Sequence, residues 1–269
     1  MKLETVLFDQ DDSIGIIRLN RPERMNAVIE QMYLDLQIVL GRTRNDSSIR
    51  ALVLTGSAWK RADGEKQAFC AGADLKAHAA GERSPWQRRE YIFLAHETTR
   101  LIYEFPKPVI VAVNGPARGA GTEMALNGDF LLMADTATIG FPETGLGTFV
   151  GGGLTSILPK LIGLTRAKEL IYTGRILDGK AAVDIGLAMK SVPVEQLLPE
   201  TIAFAKELAE KSPISMTFAK ELIRLGSDRD LKTVLLTEAE AILACMNTED
   251  WHEGIASFNE KRKPEFKGR

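Results

Sequence analysis

Val6, Phe8, Ile14, Ile16, Ile17 and Leu19 are β-rich positions, and Asp11-Asp12-Ser13 punctuates them as a turn, so the first twenty residues read as a hairpin. Asn26 then opens a predicted amphipathic helix with Met32, Leu36, Val39 and Leu40 at helical spacing. Ala51 to Thr55 is a short apolar strand ending in Thr55-Gly56, and the polar stretch Ser57 to Gln67 reads as an exposed loop. A longer helix is predicted from about Trp86 to Glu104, closed by Pro106 and Pro108. Val109-Ile110-Val111-Ala112-Val113 is apolar at every position, which suits a strand buried on both faces. After Gly119-Ala120-Gly121 a short helix should run to about Asn127, with another buried strand from Phe130 to Met133. Strands and helices in alternation predict an α/β architecture.

Past Leu187 the pattern changes. Residues from about Val194 to Phe266 read as three or four helices, with Thr201 to Lys211 and Leu231 to Met246 the clearest. A helical subdomain is expected there, packed on the first domain or on another subunit.

Composition narrows the classes. The chain has 269 residues, 45% hydrophobic and 26% charged, which excludes a disordered or fibrous protein. A formal net charge of −2 argues against nucleic acid as a main ligand, since phosphate contacts need surplus Lys and Arg. Cys70 and Cys245 cannot make a disulfide framework, and no CxxC pair suggests zinc. The start, MKLETVLFDQDD, lacks the apolar core of a signal peptide, and no apolar run is long enough for a membrane helix, so a cytoplasmic protein is expected.

Three glycine-rich stretches follow predicted strands: Ala71-Gly72-Ala73-Asp74, Gly119-Ala120-Gly121 and Gly151-Gly152-Gly153. Glycine lets backbone N–H groups approach a ligand closely, and a turn that opens a helix can hold a phosphate or an oxygen that becomes negative during reaction. A dinucleotide fingerprint is poorly matched, because Met124 stands at its third glycine. There is no P-loop, GxSxG or HExxH pattern, and His78, His96 and His252 are scattered on predicted helices as surface or packing residues. Glu123 and Glu143 stand out as carboxylates flanked by apolar residues and glycines, surroundings that raise a carboxyl pKa. Their plainer readings are a helix-dipole partner and a solvated turn residue.

The order of the segments adds a further reading. Leu19-Asn20-Arg21-Pro22 with Asn26-Ala27, Phe69-Cys70-Ala71-Gly72-Ala73-Asp74-Leu75, Asn114-Gly115 leading to Gly119-Ala120-Gly121-Thr122-Glu123, Phe141-Pro142-Glu143 with Leu146-Gly147, and Glu260-Lys261-Arg262 together resemble the crotonase family, the enoyl-CoA hydratases and isomerases. The resemblance implies a crotonase-type spiral of β-β-α units over residues 1–195 and a helical oligomerisation subdomain over 196–269, assembled as a trimer or a dimer of trimers. It implies an acyl-CoA thioester as substrate, no metal and no separate cofactor. By motif position, the thioester oxygen would be held by the backbone N–H groups of Ala73 and Ala120, and Glu123 and Glu143 would hold a water against C3 of a 2-enoyl thioester, as in the hydratases. Double-bond isomerisation, C–C hydrolysis, decarboxylation, and non-catalytic acyl-CoA or RNA binding stay open at this point. Gly151 matches the position whose backbone approaches the catalytic water. Arg24 and Ala27 fall in the loop that contacts the CoA nucleotide, Asp74 and Leu75 lie by the adenine pocket, Ala71 and Gly119 join them in binding the substrate's CoA, and Phe258 and Lys261 match residues that reach a neighbouring subunit's CoA. The chain departs from the family pattern at Ala120, where many members have glycine, in a longer Ser57–Gln67 loop, and at Val150 and Ile157, all beside the acyl pocket. At Ala120 the turn must either do without a positive φ or carry the strain of one.

Overall fold

The computed structural model describes residues 3–62, 64–81 and 83–269, apart from the side chains of residues 61, 78 and 80. The opening hairpin forms as its pattern requires: β1 (Val6–Asp11) and β2 (Ile14–Leu19) pair antiparallel from Val6↔Leu19 to Asp11↔Ile14. Helix α1 (Glu30–Arg44) leads to β3 (Ala51–Gly56), whose six residues are all buried. The segment read as a loop instead makes a ribbon, β4 (Trp59–Arg61) with β5 (Gly64–Lys66), in register Trp59↔Lys66. No apolar alternation marks it, because β5 is exposed throughout.

A short α2 (Leu75–Ala80) and the long α3 (Pro85–Tyr103) precede the apolar β6 (Val109–Val113), buried at every residue. Ser84 caps α3 in a capping box with Gln87, and Pro85 occupies the first turn, where its missing N–H costs nothing. Then come β7 (Ala117–Arg118), α4 (Ala120–Leu126), β8 (Phe130–Ala134) and β9 (Thr138–Gly140). Helices α5 (Leu154–Ile162) and α6 (Leu164–Thr173), β10 (Leu177–Asp178), α7 (Gly179–Asp184) and β11 (Lys190–Val192) follow. The chain ends in α8 (Val194–Ala209), α9 (Pro213–Gly226), α10 (Leu231–Met246) and α11 (Glu249–Glu260).

The main sheet has the order β1-β2-β3-β6-β8-β11, and every pairing beyond the hairpin is parallel. Parallel strands need both faces covered. One face receives α8, which packs across β2, β3, β6, β8 and β11. A smaller sheet, β10-β9-β7, carries the chain into the turn that starts α4. Phe69, Phe105, Phe141, Ile17, Leu52 and Ile110 are among the largest side chains fully enclosed in the core. Among the described residues no helix is long and apolar enough to cross a membrane.

Asn26 does not open the first helix. Helix α1 starts at Glu30 with Ile29 extended at its N-cap, and Asn26 sits before it, fully buried, with a left-handed φ of 55°. Its Oδ1 accepts the Arg21 N–H at 2.9 Å, and its Nδ2 donates to the carbonyls of Ser57 at 3.0 Å and Ala68 at 2.9 Å. The side chain that could cap a helix is spent on three distant backbone groups, and it ties the Arg21–Ala27 loop to the strand end entering Phe69 and Cys70. Replacing Asn26 by Ala strands those three groups and forces a Cβ-bearing residue without local hydrogen bonds into the left-handed region. Urea unfolding should show Asn26→Ala destabilised by about 3 kcal/mol; a loss under about 1 kcal/mol would contradict this role.

Candidate active site

Two backbone turns make the floor of the site. In the Cys70–Asp74 segment nearly every amide is engaged. Cys70 N donates to Pro116 O at 3.0 Å, Ala71 N to Met25 O at 3.0 Å, Gly72 N to the Cys70 thiol, and Asp74 N to Val28 O at 2.9 Å. Ala73 N is left without a partner among the described residues. The segment bridges Val28 on one side and Ala117 on the other, so its alternate amides point in opposite directions.

The second turn leads from β7 into α4. Gly119 carries the unusual backbone, φ 48° and ψ −119°, as the residue preceding the helix. Ala120 does not have a positive φ, so the strain expected at that position falls on the glycine before it, where it is cheap. As the first residue of α4, Ala120 has a backbone N–H with no intrahelical acceptor, and no other bond among the described residues takes it. The two turns pack backbone to backbone: Arg118 N donates to Cys70 O at 3.0 Å, and a Cβ placed on Gly121 would meet Cys70 O at 2.3 Å. The unused amides of Ala73 and Ala120 therefore belong to adjoining strands of one floor.

Glu123 and Glu143 are both buried, 9% and 8% exposed. That excludes the solvated-turn reading of Glu143. Glu123 stands in the first turn of α4, where its Oε1 accepts the Gly151 N–H at 2.7 Å. Burial pushes its carboxyl above the ordinary range, and the Gly151 N–H works the other way. Glu143 begins a short 3-10 turn, Glu143–Leu146. Its Oε1 lies 2.7 Å from the point a Cβ on Gly119 would occupy, and its Oε2 is buried with no hydrogen-bond partner. Burial raises the Glu143 pKa, its own backbone N–H opposes that, and the Glu123 charge raises it again.

Gly151-Gly152-Gly153 follows the 3-10 turn and not a strand, and it wraps the Glu123 carboxylate. Gly152 and Gly153 both have positive φ, and a Cβ on Gly152 would strike Glu123 Cβ at 2.9 Å. Asn127, which caps the C-terminus of α4, holds this loop in place: its Nδ2 donates to Glu123 O and Gly152 O, each at 2.8 Å. Sequence reading passed over Asn127, whose reach across 25 residues has no periodic signature.

The remaining expected site residues lie at varying removes. Ala27 is buried, its carbonyl accepting from Arg21, and Ala71 is tied to Met25. Arg24 is exposed near Asp74, and its charge helps hold that carboxyl low. Asp74 pairs with Arg21 at 3.2 Å and caps α2 through Ala77 N, while Leu75 is exposed. Phe258 is 83% exposed, so it lines no site within its own chain, and Lys261 caps the C-terminus of α11 in the left-handed conformation. Cys70 is buried with its thiol pushed up to about 12, inert as a nucleophile, and Cys245 is free. Among the described residues, no group of three His, Cys, Asp or Glu is placed to hold a metal. The side chain of His78 lies outside the described residues.

The spiral of parallel strands, the two amide-presenting turns and the paired buried carboxylates define a crotonase-type α/β fold. Comparison with known proteins agrees. The family model described as enoyl-CoA hydratase/isomerase matches residues 9–269. A crotonyl-CoA hydratase of Syntrophomonas wolfei is 35% identical over 99% of both chains, and a short-chain-enoyl-CoA hydratase of Clostridium acetobutylicum is 34% identical over the whole of both. The crystal structure of an enoyl-CoA hydratase from Bacillus anthracis superposes with a TM-score of 0.92 at 37% identity, covering 99% of this chain and 100% of that one. The chain belongs to the enoyl-CoA hydratase/isomerase family.

The Glu143 environment makes a stability prediction. Its folded pKa lies above the unfolded value, so the folded state binds the proton more tightly. The associated stability is full below the unfolded pKa and is lost as pH rises through the folded pKa. Glu143→Gln is neutral at every pH. Thermal unfolding should show it level with wild type near about pH 4 and a few degrees more stable near about pH 8. A variant less stable than wild type at the higher pH would contradict the assignment.

Proposed function

We propose that this protein adds water across the 2,3 double bond of a 2-enoyl-CoA thioester, giving a 3-hydroxyacyl-CoA. The observation that carries the reading is a pair of buried carboxylates, Glu123 and Glu143, in a fold that leaves two nearby backbone N–H groups without a bond among the described residues. The family match and the hydratases among its relatives support it.

In this reading the thioester oxygen accepts from Ala73 N–H and Ala120 N–H. Addition at C3 moves negative charge onto that oxygen, and donors already in place, unable to relax toward water, stabilise it. Placing Ala120 at the N-terminus of α4 adds the favourable end of the helix dipole. The water oxygen bonds to C3 and gives up one proton, and C2 takes a proton, so the sum is the addition of one water. The two carboxylates differ in a way that divides the work. Burial raises the Glu123 carboxyl, but the Gly151 amide on Oε1 opposes that rise and no like charge adds to it, which suits a base. Glu143 has a buried, unpartnered Oε2 and feels the charge of Glu123, which favours the protonated form and suits the acid that serves C2. Every group this scheme needs is a protein side chain or amide, so no cofactor is called for beyond the CoA of the substrate. Arg24, Ala27, Ala71, Asp74, Leu75 and Gly119 are proposed to line the thioester and its nucleotide.

Turnover of crotonyl-CoA, followed by loss of the conjugated thioester absorbance with mass measurement of the product, tests the proposal. Wild type should yield a product heavier by one water, and Glu123→Gln and Glu143→Gln should each lower kcat by roughly 10²–10⁴-fold. A product of unchanged mass would point to isomerisation instead.

We also propose a homo-oligomer, a trimer or dimer of trimers, with residues 196–269 supplying contacts and Phe258 and Lys261 reaching a neighbour's CoA. Helix α10 supports this: Leu231, Leu235, Leu236, Ile242 and Leu243 are all exposed, and Ala241 is its one buried residue among those described. So large an apolar face on an isolated chain marks an interface. Sedimentation should give three or six times 29.6 kDa, and Leu236→Asp combined with Leu243→Asp should lower the mass. A wild-type mass of one chain would contradict the assembly.

A further inference from the structure

His96 lies on α3 and reads in sequence as a surface residue, and it is indeed exposed. The fold nevertheless brings it to the carboxylate that matters. Its Nε2 lies 3.0 Å from the point a Cβ on Gly151 would occupy, and Oε1 and Oε2 of Glu123 lie 3.1 and 3.2 Å from that same point. Imidazole and carboxylate are thus no more than about 6 Å apart, the sum of the 3.0 and 3.1 Å distances. They make no direct hydrogen bond or ion pair, and the His96 side chain has no other partner among the described residues. Glu123 Oε1 is taken by Gly151 N–H, whereas Oε2 receives no donor from the described residues. Two hydrogen bonds of about 2.8 Å meeting at one water oxygen span roughly 4.5–5.5 Å, which fits this gap.

We propose that His96 is a positioning residue: through one bridging water its Nε2 steadies the free Oε2 of Glu123 and holds the carboxylate in the plane set by the Gly151 amide. The inference rests on the hydration reading, in which Glu123 acts on the attacking water. A carboxylate anchored at one oxygen can pivot about its last torsion. Anchored at both, it keeps its lone pair aimed at C3, and small misplacements of such groups are expensive in rate.

His96→Leu and His96→Gln, assayed beside wild type with crotonyl-CoA, test the role. Leucine removes the hydrogen bond, and kcat should fall about tenfold with KM within about twofold, because positioning is needed at reaction and not at binding. Glutamine keeps a donor near the Nε2 position and should restore most of kcat. Melting temperatures of both should match wild type, since the exposed imidazole holds no packing. Undiminished kcat in His96→Leu, or an equal fall in both variants, would overturn the proposal. A high-resolution crystal structure of the wild-type protein supplies a readout free of activity: a water within hydrogen-bond distance of both Nε2 and Oε2 supports the clasp, and its absence overturns it. If wild type turned over no enoyl-CoA, the hydration reading would fall instead, and the crystal structure alone would decide the placement of His96.

Discussion

The seating of the Gly119–Gly121 turn directly on the Cys70–Gly72 backbone is the constraint from which the site follows. Approach this close leaves no room for side chains, so Gly121 faces Cys70 O where a Cβ would collide at 2.3 Å, and Gly72 likewise meets Arg118 O at 2.8 Å. Once the two segments are paired, the alternation of the bridge decides which amides are used up. Ala73 and the first residue of α4 are what remain. The two unbonded amides are thus a by-product of backbone pairing, and short of proline no side-chain change removes them. What side chains can do is hold the two segments in place, as Asn26 does from beneath Ala68.

Burying two carboxylates above such a floor runs against stability, and the structure shows how far the opposition is met. Asn127 and the Gly151 amide brace one carboxylate from the main chain side, while one oxygen of the other is left buried and unpaired. A fold selected for stability alone would satisfy that oxygen or replace it. Under the proposed hydration, leaving it bare would keep an acidic group ready to carry a proton, a common trade between stability and activity.

Much of this was legible along the chain, and what was not has physical causes. The all-apolar run Val109–Val113 announced a strand buried on both faces, and the stretch Leu231–Met246 announced a helix, although of its described residues this chain alone buries only Ala241. The ribbon around Trp59 and Lys66 was silent, since an exposed polar hairpin has no core to write a pattern. Asn26 misled because the features that make a residue a good helix cap, a short polar side chain and tolerance of positive φ, equally suit a buried tie. At the site, residue types alone favoured the plain roles for Glu123 and Glu143, and the order of motifs turned the reading toward catalysis. Asn127 and His96 could not be placed from the sequence, for only the folded chain brings the Gly151–Gly153 loop near them.

The most direct test of the account is a crystal structure with 3-hydroxybutyryl-CoA bound. The thioester oxygen should lie about 3 Å from both Ala73 N and Ala120 N, with the C3 hydroxyl between the Glu123 and Glu143 carboxylates. A thioester oxygen away from those two amides, or a hydroxyl that neither carboxylate reaches, would contradict it.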